Sequence, residues 1–260
     1  MTELYYFALS FFVYGFLGWC TEVAYAAAKQ GKFVNRGFLN GPICPVYGIG
    51  VGVVVQFLTP VENNLVLLYI SSTILVTVIE GITGFLLEKI FHNKWWDYSE
   101  QPLNIGGYVC MLFSLIWGVF CVLIVKIIHP LIYKVLTMIP LVLGIVVMAC
   151  LAVGLLADLY VTASGILKMN RRLEAMEKIA AELKELSDKV GENIYENVME
   201  GMEFREEKKA RIEELKVKYE EMAENRTKVG ERLVKAFPKM QVGQHKEIFE
   251  ELRERIKRSK

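Results

Sequence analysis

The chain divides into an apolar part and a charged part, and the apolar part contains long, continuous hydrophobic runs. A run of about 20 apolar residues is long enough for a helix to cross a hydrocarbon core roughly 30 Å thick. Several such runs recur, which predicts an all-α, polytopic membrane helix bundle with about five transmembrane helices over residues 1–167. The predicted spans are Leu4 to Ala28, Phe38 or Val46 to Leu58, Leu65 to Phe91, Tyr108 to Ile128, and Leu136 to Leu156 or beyond.

The second predicted span is shorter than the others. A helix over Val46 to Leu58 rises only about 20 Å. The segment before it, Phe38 to Pro45, is apolar but contains Pro42 and Pro45, and proline interrupts helices. We therefore expect a broken or re-entrant segment here, with its backbone facing protein or water.

Residues 168–260 have the pattern of a cytoplasmic, charged helical arm. Two runs have apolar residues spaced by three and four, as in a coiled-coil seam. Between the runs, Gly191 and Gly201 weaken the helix, which allows a helical hairpin or a bent rod. A short final helix with one apolar face is expected over about Gln244 to Arg258. The seam residues are Leu173, Met176, Ala180, Leu183, Ser187, Val190 and Ile194 in the first run, and Ile212, Leu215, Tyr219 and Met222 in the second.

Charge is nearly balanced in both parts of the chain. The 260 residues are 53% hydrophobic and carry a formal net charge of +1. Residues 1–167 contain seven Lys or Arg and eight Asp or Glu, so the arm is close to neutral as well. Such a mixture creates no large basic field, which excludes nucleic acid as an expected partner and favours a solvated helix.

Basic residues near the ends of the spans predict the orientation of the chain. Cytoplasmic loops are enriched in Lys and Arg, and basic residues follow the first, third and fifth spans. The opposite side has few, chiefly Lys126 and Lys134, and would hold a link around His129 and Pro130. The N-terminus is therefore expected outside and the C-terminus in the cytoplasm. The supporting residues are Lys29, Lys32 and Arg36, then Lys89 and Lys94, then Lys168, Arg171 and Arg172.

Four acidic residues lie within the apolar spans: Glu22, Glu80, Glu88 and Asp158. An acid at the centre of a membrane helix costs on the order of 3 kcal/mol, so it is usually paired, protonated or next to a polar cavity. We interpret Glu88 and Asp158 as reaching the headgroup layer. Glu22 and Glu80 sit deeper and favour a functional polar site in the inner half of the bundle. Gly84, which lies between Glu80 and Glu88 on one face, leaves room for a neighbouring helix or a substrate.

The loop after the first span brings Arg36 and Asn40 to the same face of the membrane. Arginine suits a planar contact with carboxylate or phosphate, so this loop could neutralise Glu22 or hold an anionic group. A purely structural pair of Glu22 with Arg36 or Lys29 competes with the functional interpretation. A basic interfacial loop that only follows the charge bias of cytoplasmic loops is about equally supported.

The loop after the third span is first of all an interfacial aromatic belt, because Trp95, Trp96 and Tyr98 favour the headgroup level. A belt does not explain the polar residues Asp97 and Asn104, and we interpret this loop as lining the same inner-face site. The predicted polar or substrate site consists of Glu22, Arg36, Asn40, Glu80, Glu88, Trp96, Asp97 and Asn104.

The sequence offers no support for metal, cofactor or enzyme chemistry. Its five cysteines form no CxxC pair, and His92, His129 and His245 are scattered, so no metal site is expected. A nucleophile with its base cannot be named, so catalytic residues and cofactors are not expected either. The GxxxxGK[ST] phosphate loop does not occur, so nucleotide-driven work would need a separate ATPase subunit.

Several motifs follow one another in the first part of the chain. They are Gly15-Phe16-Leu17-Gly18-Trp19 with Glu22, the continuous stretch Asn35 to Gly48, Glu80 with Gly84 and Leu87-Glu88, Trp95-Trp96-Asp97-Tyr98-Ser99 with Pro102 and Asn104, and Trp117-Gly118. Together they resemble a bacterial family described as putative type IV ABC-transporter permeases, the CmpB-like membrane proteins. The resemblance implies a multi-spanning, permease-like protein in the lipid bilayer of the bacterial plasma membrane. It carries over no catalytic residue, and in the arm it is limited to Arg232-Leu233 and Ala236-Phe237-Pro238.

Two functions of different classes follow from these features. In the first, the protein is a transport component whose inner-half acids and Arg36 contact a solute or a proton. In the second, it is a membrane-anchored assembly or sensing protein that forms homo-oligomers or recruits a partner through its arm, and the acids are structural. A membrane-embedded hydrolase is the weakest interpretation, because it lacks a nucleophile.

Overall fold

The computed structural model describes residues 2–196, 202–243 and 245–258. Two compact units divide the chain. The first unit contains Met1–Ala163 and also Arg232–Gln241, and the second contains Ser164–Glu231 and Val242–Lys260. The chain therefore leaves the first unit after Ala163 and returns to it for ten residues near its end.

Helices dominate the first unit, and three very short strands shape one of its loops. A 3₁₀ turn over Thr59–Val61 extends the second helix, and a π-helical turn over Ile124–Ile128 joins the fourth helix to the fifth. The elements in chain order are α1 Thr2–Gln30, α2 Pro45–Leu58, α3 Leu65–Phe91, β1 Asn93–Lys94, β2 Asn104–Ile105, β3 Val109–Cys110, α4 Met111–Leu123, α5 His129–Thr137 and α6 Leu141–Glu196, which continues into the second unit. Strands β2 and β3 pair antiparallel, with Asn104 opposite Cys110.

The all-α membrane helix bundle predicted from the sequence is confirmed. Among the described residues, four helical segments have the length and composition to cross a membrane: Glu3–Gln30, Leu65–Phe91, Met111–Thr137 and Leu141–Lys189. The remaining predicted span is the shorter apolar helix Pro45–Val61. Residues 31–44 are not helical. Pro45 occupies the start of α2, where a backbone N–H would have no partner within the helix, so its absence costs nothing.

The predicted link at His129 and Pro130 is wrong. These residues lie inside a continuous helical segment that ends at Thr137, and the turn to α6 follows at residues 138–140. A proline inside a helix removes one backbone hydrogen bond and collides with the preceding turn. The π-helical turn over Ile124–Ile128 directly precedes His129, and its wider spacing accommodates the proline without ending the helix.

Small residues let α1 and α2 pack closely in antiparallel directions. A Cβ added at Gly48 would lie 2.5 Å from the backbone oxygen of Phe11, and one added at Gly52 would lie 2.9 Å from the ring of Phe7. Close backbone approach of this kind is typical of membrane helix interfaces. The amide of Cys44 donates to the carbonyl of Gly15 at 2.9 Å, so α2 begins beside the middle of α1.

The second unit is a helical assembly in which some residues of each predicted seam are buried. It comprises the later part of α6, α7 Met202–Glu224, the start of α8 Lys228–Ala236, the end of β4 Gln241–Val242, and α9 Lys246–Arg258. Seam residues Leu173, Met176 and Leu215 are buried, as is Phe249 of α9. The two terminal nitrogens of the Arg255 guanidinium donate to Glu220 of α7, and the Tyr219 hydroxyl donates to Glu251 of α9 at 2.6 Å.

The weakening expected at Gly191 does not end α6, which remains helical to Glu196. Gly201 and Gln244, which belong to the predicted hinge and the predicted final helix, lie outside the described residues. The proposed coiled-coil contact between copies of the chain stays a prediction.

Candidate functional site

Glu22 of α1 is held by two partners from the segment that follows it. Its Oε1 accepts a hydrogen bond from the Tyr47 hydroxyl at 2.8 Å, and its Oε2 lies 3.1 Å from Nε of Arg36. The packing of α2 against α1 explains the first contact, since Gly18 leaves the space that the Tyr47 ring occupies. The Arg36 guanidinium also lies over the ring of Tyr25, 4.8 Å from its centroid. The ion pair that the sequence offered as a structural alternative is therefore present.

Glu80 of α3 has one hydrogen-bonded oxygen and one buried oxygen that lacks a partner. The Tyr98 hydroxyl donates to Oε1 at 3.4 Å, while Oε2 has no hydrogen-bond partner among the described residues. Burial raises the pKa of the Tyr98 phenol above its ordinary value, and the neighbouring Glu80 raises it further. Tyr98 therefore stays protonated and remains a donor.

These two carboxylates and two phenols form one electrostatically connected group, which we name the carboxylate–phenol cluster: Glu22, Tyr47, Glu80 and Tyr98. Tyr47 interacts electrostatically with Glu80 as well as with Glu22, and Tyr98 interacts with both acids in the same way. Arg36 offsets the charge of Glu22, whereas no basic side chain of the described chain pairs with Glu80. The cluster thus combines two donors, two carboxylates and a single compensating cation.

Glu88 lies about two turns beyond Glu80 on α3, Trp96 lies on the loop that follows α3, and neither joins the cluster. Glu88 is hydrogen-bonded to the side chain of Tyr108, and the Trp96 indole donates to the Tyr108 carbonyl at 2.8 Å. Gly84 makes room for both rings, because an added Cβ would lie 3.0 Å from Tyr108 and 3.1 Å from Trp96. The space between Glu80 and Glu88 is therefore filled by aromatic residues of this chain's own loop.

Asp97 and Asn104 form the turns of the loop after α3. Asp97 accepts hydrogen bonds from the Ser99 amide and hydroxyl and lies 3.1 Å from Nζ of Lys94. Partial burial alone would raise the pKa of Asp97, but the hydrogen bonds from Ser99 and Lys94 outweigh it and lower the pKa below its ordinary value. The Asn104 side chain accepts from the Gly107 amide at 3.1 Å and donates to two carbonyls of the same loop. Both residues shape the loop that carries Tyr98.

Asn40 belongs to a separate polar network that connects three parts of the first unit. Its amide nitrogen donates to Asp158 of α6 at 2.8 Å, and the Gly41 backbone amide donates to the other carboxylate oxygen of Asp158 at 2.6 Å. Arg232 of α8 donates to the Asn40 side chain at 3.0 Å, to the Gly37 carbonyl at 2.7 Å and to the Phe38 carbonyl at 2.8 Å. Burial lowers the pKa of Arg232, and nearby Asp158 opposes that shift.

Aromatic and polar contacts extend this attachment to the loop after α3. The Phe237 ring packs edge-to-face on buried Trp95 with 5.2 Å between centroids, and Trp95 packs in the same manner on Phe38. The Gln241 amide donates to Asp97 at 3.0 Å. We call residues Arg232–Gln241 the return segment, because they hold the two loops that flank the cluster.

The structure thus divides the predicted site into smaller groups. Glu22 is paired with Arg36 and Tyr47, and Glu80 is hydrogen-bonded to Tyr98. The predicted site did not include either tyrosine. From the sequence, Tyr98 belongs to the aromatic belt and Tyr47 to the motif over Asn35 to Gly48. No spacing signal distinguishes a tyrosine that donates to a buried acid from one at the interface. Metal-binding groups of three or more His, Cys, Asp or Glu do not occur within the described residues.

Comparison with known proteins identifies a family that matches the sequence of most of the first unit. The family described as "Putative ABC-transporter type IV" matches residues 9–163, which is more than half of the chain and nearly all of the continuous part of the first unit. No curated protein and no solved structure matches the chain. The family match includes every residue of the carboxylate–phenol cluster, and the chain belongs to the putative type IV ABC-transporter family.

Proposed function

We propose that the protein is a permease-like component of a transport system of the bacterial plasma membrane, and that the carboxylate–phenol cluster contacts the transported solute or a proton. The observation that carries this proposal is the unequal compensation of the two acids. Glu22 has a guanidinium and a phenol as partners, whereas Glu80 has one long hydrogen bond and a buried oxygen without a partner in the described chain.

Energetics support a functional role for this inequality. Placing an unpaired carboxylate within a membrane helix costs on the order of 3 kcal/mol of free energy. An apolar residue at position 80 would therefore give a more stable helix, and stability alone does not explain Glu80. A proton, or a cationic or hydrogen-bond-donating group of a solute, would satisfy the free oxygen of Glu80. The two protonated phenols would remain as donors to the carboxylates while this occupant changes.

The energy source in this proposal is a separate subunit. The sequence contains no phosphate loop for binding a nucleotide, so the chain would act with an ATPase rather than as an enzyme itself. Purification from native membranes under mild conditions tests this partner directly. Recovery of an ATPase with the wild-type protein is expected, and a preparation free of any nucleotide-binding protein would argue for another energy source.

Substitution of the two acids tests the transport role. In cells that lack their own copy of the gene, solute contents are compared after complementation with wild-type protein, Glu80→Gln, Glu22→Gln and the control Glu100→Gln. Glu100 is exposed and lies on the loop after α3, so its substitution controls for the loss of one negative charge. Loss of the wild-type solute profile in both cluster variants, with normal amounts in the membrane, is expected; a wild-type profile in both would remove the proposal.

The return segment favours a second function, in which the arm transmits a signal to the membrane helices or assembles with a partner. Ten residues that follow most of the arm in sequence fold into the first unit, and Arg232 holds the loop that carries Arg36. If this function is the main one, variants that detach the return segment should change the phenotype more than Glu80→Gln does. Chemical crosslinking of intact membranes would also detect homo-oligomers formed through the arm.

A further inference from the structure

A second polar group lies on the part of α1 that is more than two turns from Glu22. The Tyr14 hydroxyl of α1 is 2.9 Å from Nδ1 of His129, and Tyr14 is almost completely buried. The His129 ring also lies near the ring of Tyr133, with 5.8 Å between centroids. Tyr14 and Glu22 are separated by eight residues of one helix, which corresponds to about 12 Å along its axis.

The backbone around His129 departs from regular helix. The π-helical turn over Ile124–Ile128 directly precedes His129, and Pro130 cannot donate a hydrogen bond to the carbonyl of Lys126. Single π-turns within helices are frequent at functional sites, because the extra residue re-aims the side chains that follow. Here the following residue is a histidine within a segment apolar enough to span a membrane.

The groups that face His129 are few and can be named. Tyr14 comes from α1, Glu62 from the turn between α2 and α3 interacts with His129 electrostatically, and Tyr133 comes from its own helix. Helix α2, which packs against the π-helical turn, contains no Asp, Glu, Lys, Arg or His. Burial of the imidazole disfavours its charged form, whereas Glu62 and a hydrogen bond to the Tyr14 oxygen favour it.

We propose that His129 is a proton-binding site of the bundle, distinct from the carboxylate–phenol cluster, and that Tyr14 changes its hydrogen-bonding role with the charge of the imidazole. In the neutral state the Tyr14 O–H donates to Nδ1, so the ring proton resides on Nε2. When Nε2 keeps its proton and Nδ1 gains one, the Nδ1–H donates to the Tyr14 oxygen, whose own hydrogen rotates away. One proton is bound, and no other group is consumed.

Nitrogen NMR of the full chain in lipid nanodiscs tests this site without knowledge of a solute. His92→Gln and His245→Gln together leave His129 as the only histidine, and ¹⁵N shifts distinguish both tautomers from the imidazolium. Between pH 4 and 9, a single transition from the Nε2–H tautomer to the imidazolium is expected. An imidazole that stays neutral over this whole range would overturn the proposal.

Two conservative variants assign the partners. Tyr14→Phe should convert the single neutral tautomer into a mixture, and Glu62→Gln, which removes the nearby negative charge, should move the midpoint of the ¹⁵N transition to lower pH. Glu100→Gln should change neither result. An unchanged tautomer in Tyr14→Phe together with an unchanged midpoint in Glu62→Gln would overturn the assignment. The titration requires no transport, so its failure leaves the proposed function of the cluster to be decided by the solute profiles.

Discussion

Replacing Arg232 with methionine keeps most of the side chain's apolar volume and removes the guanidinium that donates to Gly37, Phe38 and Asn40. A hydrogen bond that involves a charged group contributes about 1.5 to 3 kcal/mol when buried, and less when it is partly exposed to water. Arg232 is half-buried and Asn40 is exposed. We therefore expect the three bonds together to stabilise the loop by about 2 to 4 kcal/mol.

Hydrogen exchange followed by mass spectrometry measures this loss where it occurs. The amides of Asn40 and Gly41 donate to Asp158, so they exchange only when the loop opens. A loss of 2 to 4 kcal/mol should speed exchange in the peptide over residues 37–44 by roughly 30- to 700-fold. The comparison is made in detergent or nanodiscs with the full chain.

Two further variants make this prediction specific. Lys228→Met removes a cation from an exposed position on the same helix and should leave exchange of the loop unchanged. Arg232→Lys keeps the charge but not the planar array of donors, so it should give an intermediate rate. If Arg232→Met exchanges at the wild-type rate over residues 37–44, the three hydrogen bonds do not hold the loop and the reasoning is refuted.

Three other predictions concern packing and pH. Gly48→Ala should lower the free energy of unfolding in detergent by about 1 to 3 kcal/mol, because the new methyl group would lie 2.5 Å from a backbone oxygen. The control Gly154→Ala should leave the free energy of unfolding unchanged, because a Cβ at that position has nothing within 4 Å. Phe249→Ala should destabilise the second unit by about 3 to 5 kcal/mol, because the Phe249 ring is buried. Val217→Ala, at a half-exposed position, should destabilise it far less. Hydrogen exchange in α7 and α9 measures both effects. Because the folded-state pKa of Asp97 is lowered, its contribution to stability is present above about pH 4 and is lost as the pH falls through that lowered pKa. The difference in melting temperature between wild type and Asp97→Asn should accordingly be largest near neutral pH and should shrink below about pH 4; a constant difference would contradict this.

The sequence predicts the helices well where local chemistry marks both of their ends. Predicted and observed bounds of α3 coincide, because Asn64 caps its start by accepting from the Leu67 amide, and His92 ends it in a left-handed conformation. The fourth span was predicted too short because Pro130 indicates a helix end unless a π-turn precedes it. A π-turn has no sequence signature of its own, so its presence could not be predicted.

The candidate site was predictable only where its partners are close in sequence. Arg36 lies only 14 residues after Glu22, so the sequence of the loop between them is enough to suggest that they form an ion pair. The contacts of Arg232 join residues more than 190 positions apart, and most of the arm lies between them in sequence. A charged helix that folds back onto a membrane loop has the same local pattern as one that stays in solution, so no periodicity or charge count predicts it.

The return segment also changes how the arm has to be tested. A deletion after Arg172 would remove the arm, but it would also remove Arg232 and leave the carbonyls of Gly37 and Phe38 without their donor. A chain that ends after Gly243 lacks α9 but retains all ten residues that belong to the first unit. We expect residues 37–44 to exchange slowly in that chain and rapidly in the chain that ends at Arg172. A functional defect shared by both truncations would then belong to the arm, whereas a defect confined to the shorter chain, and reproduced by Arg232→Met, would belong to the loop that Arg232 holds.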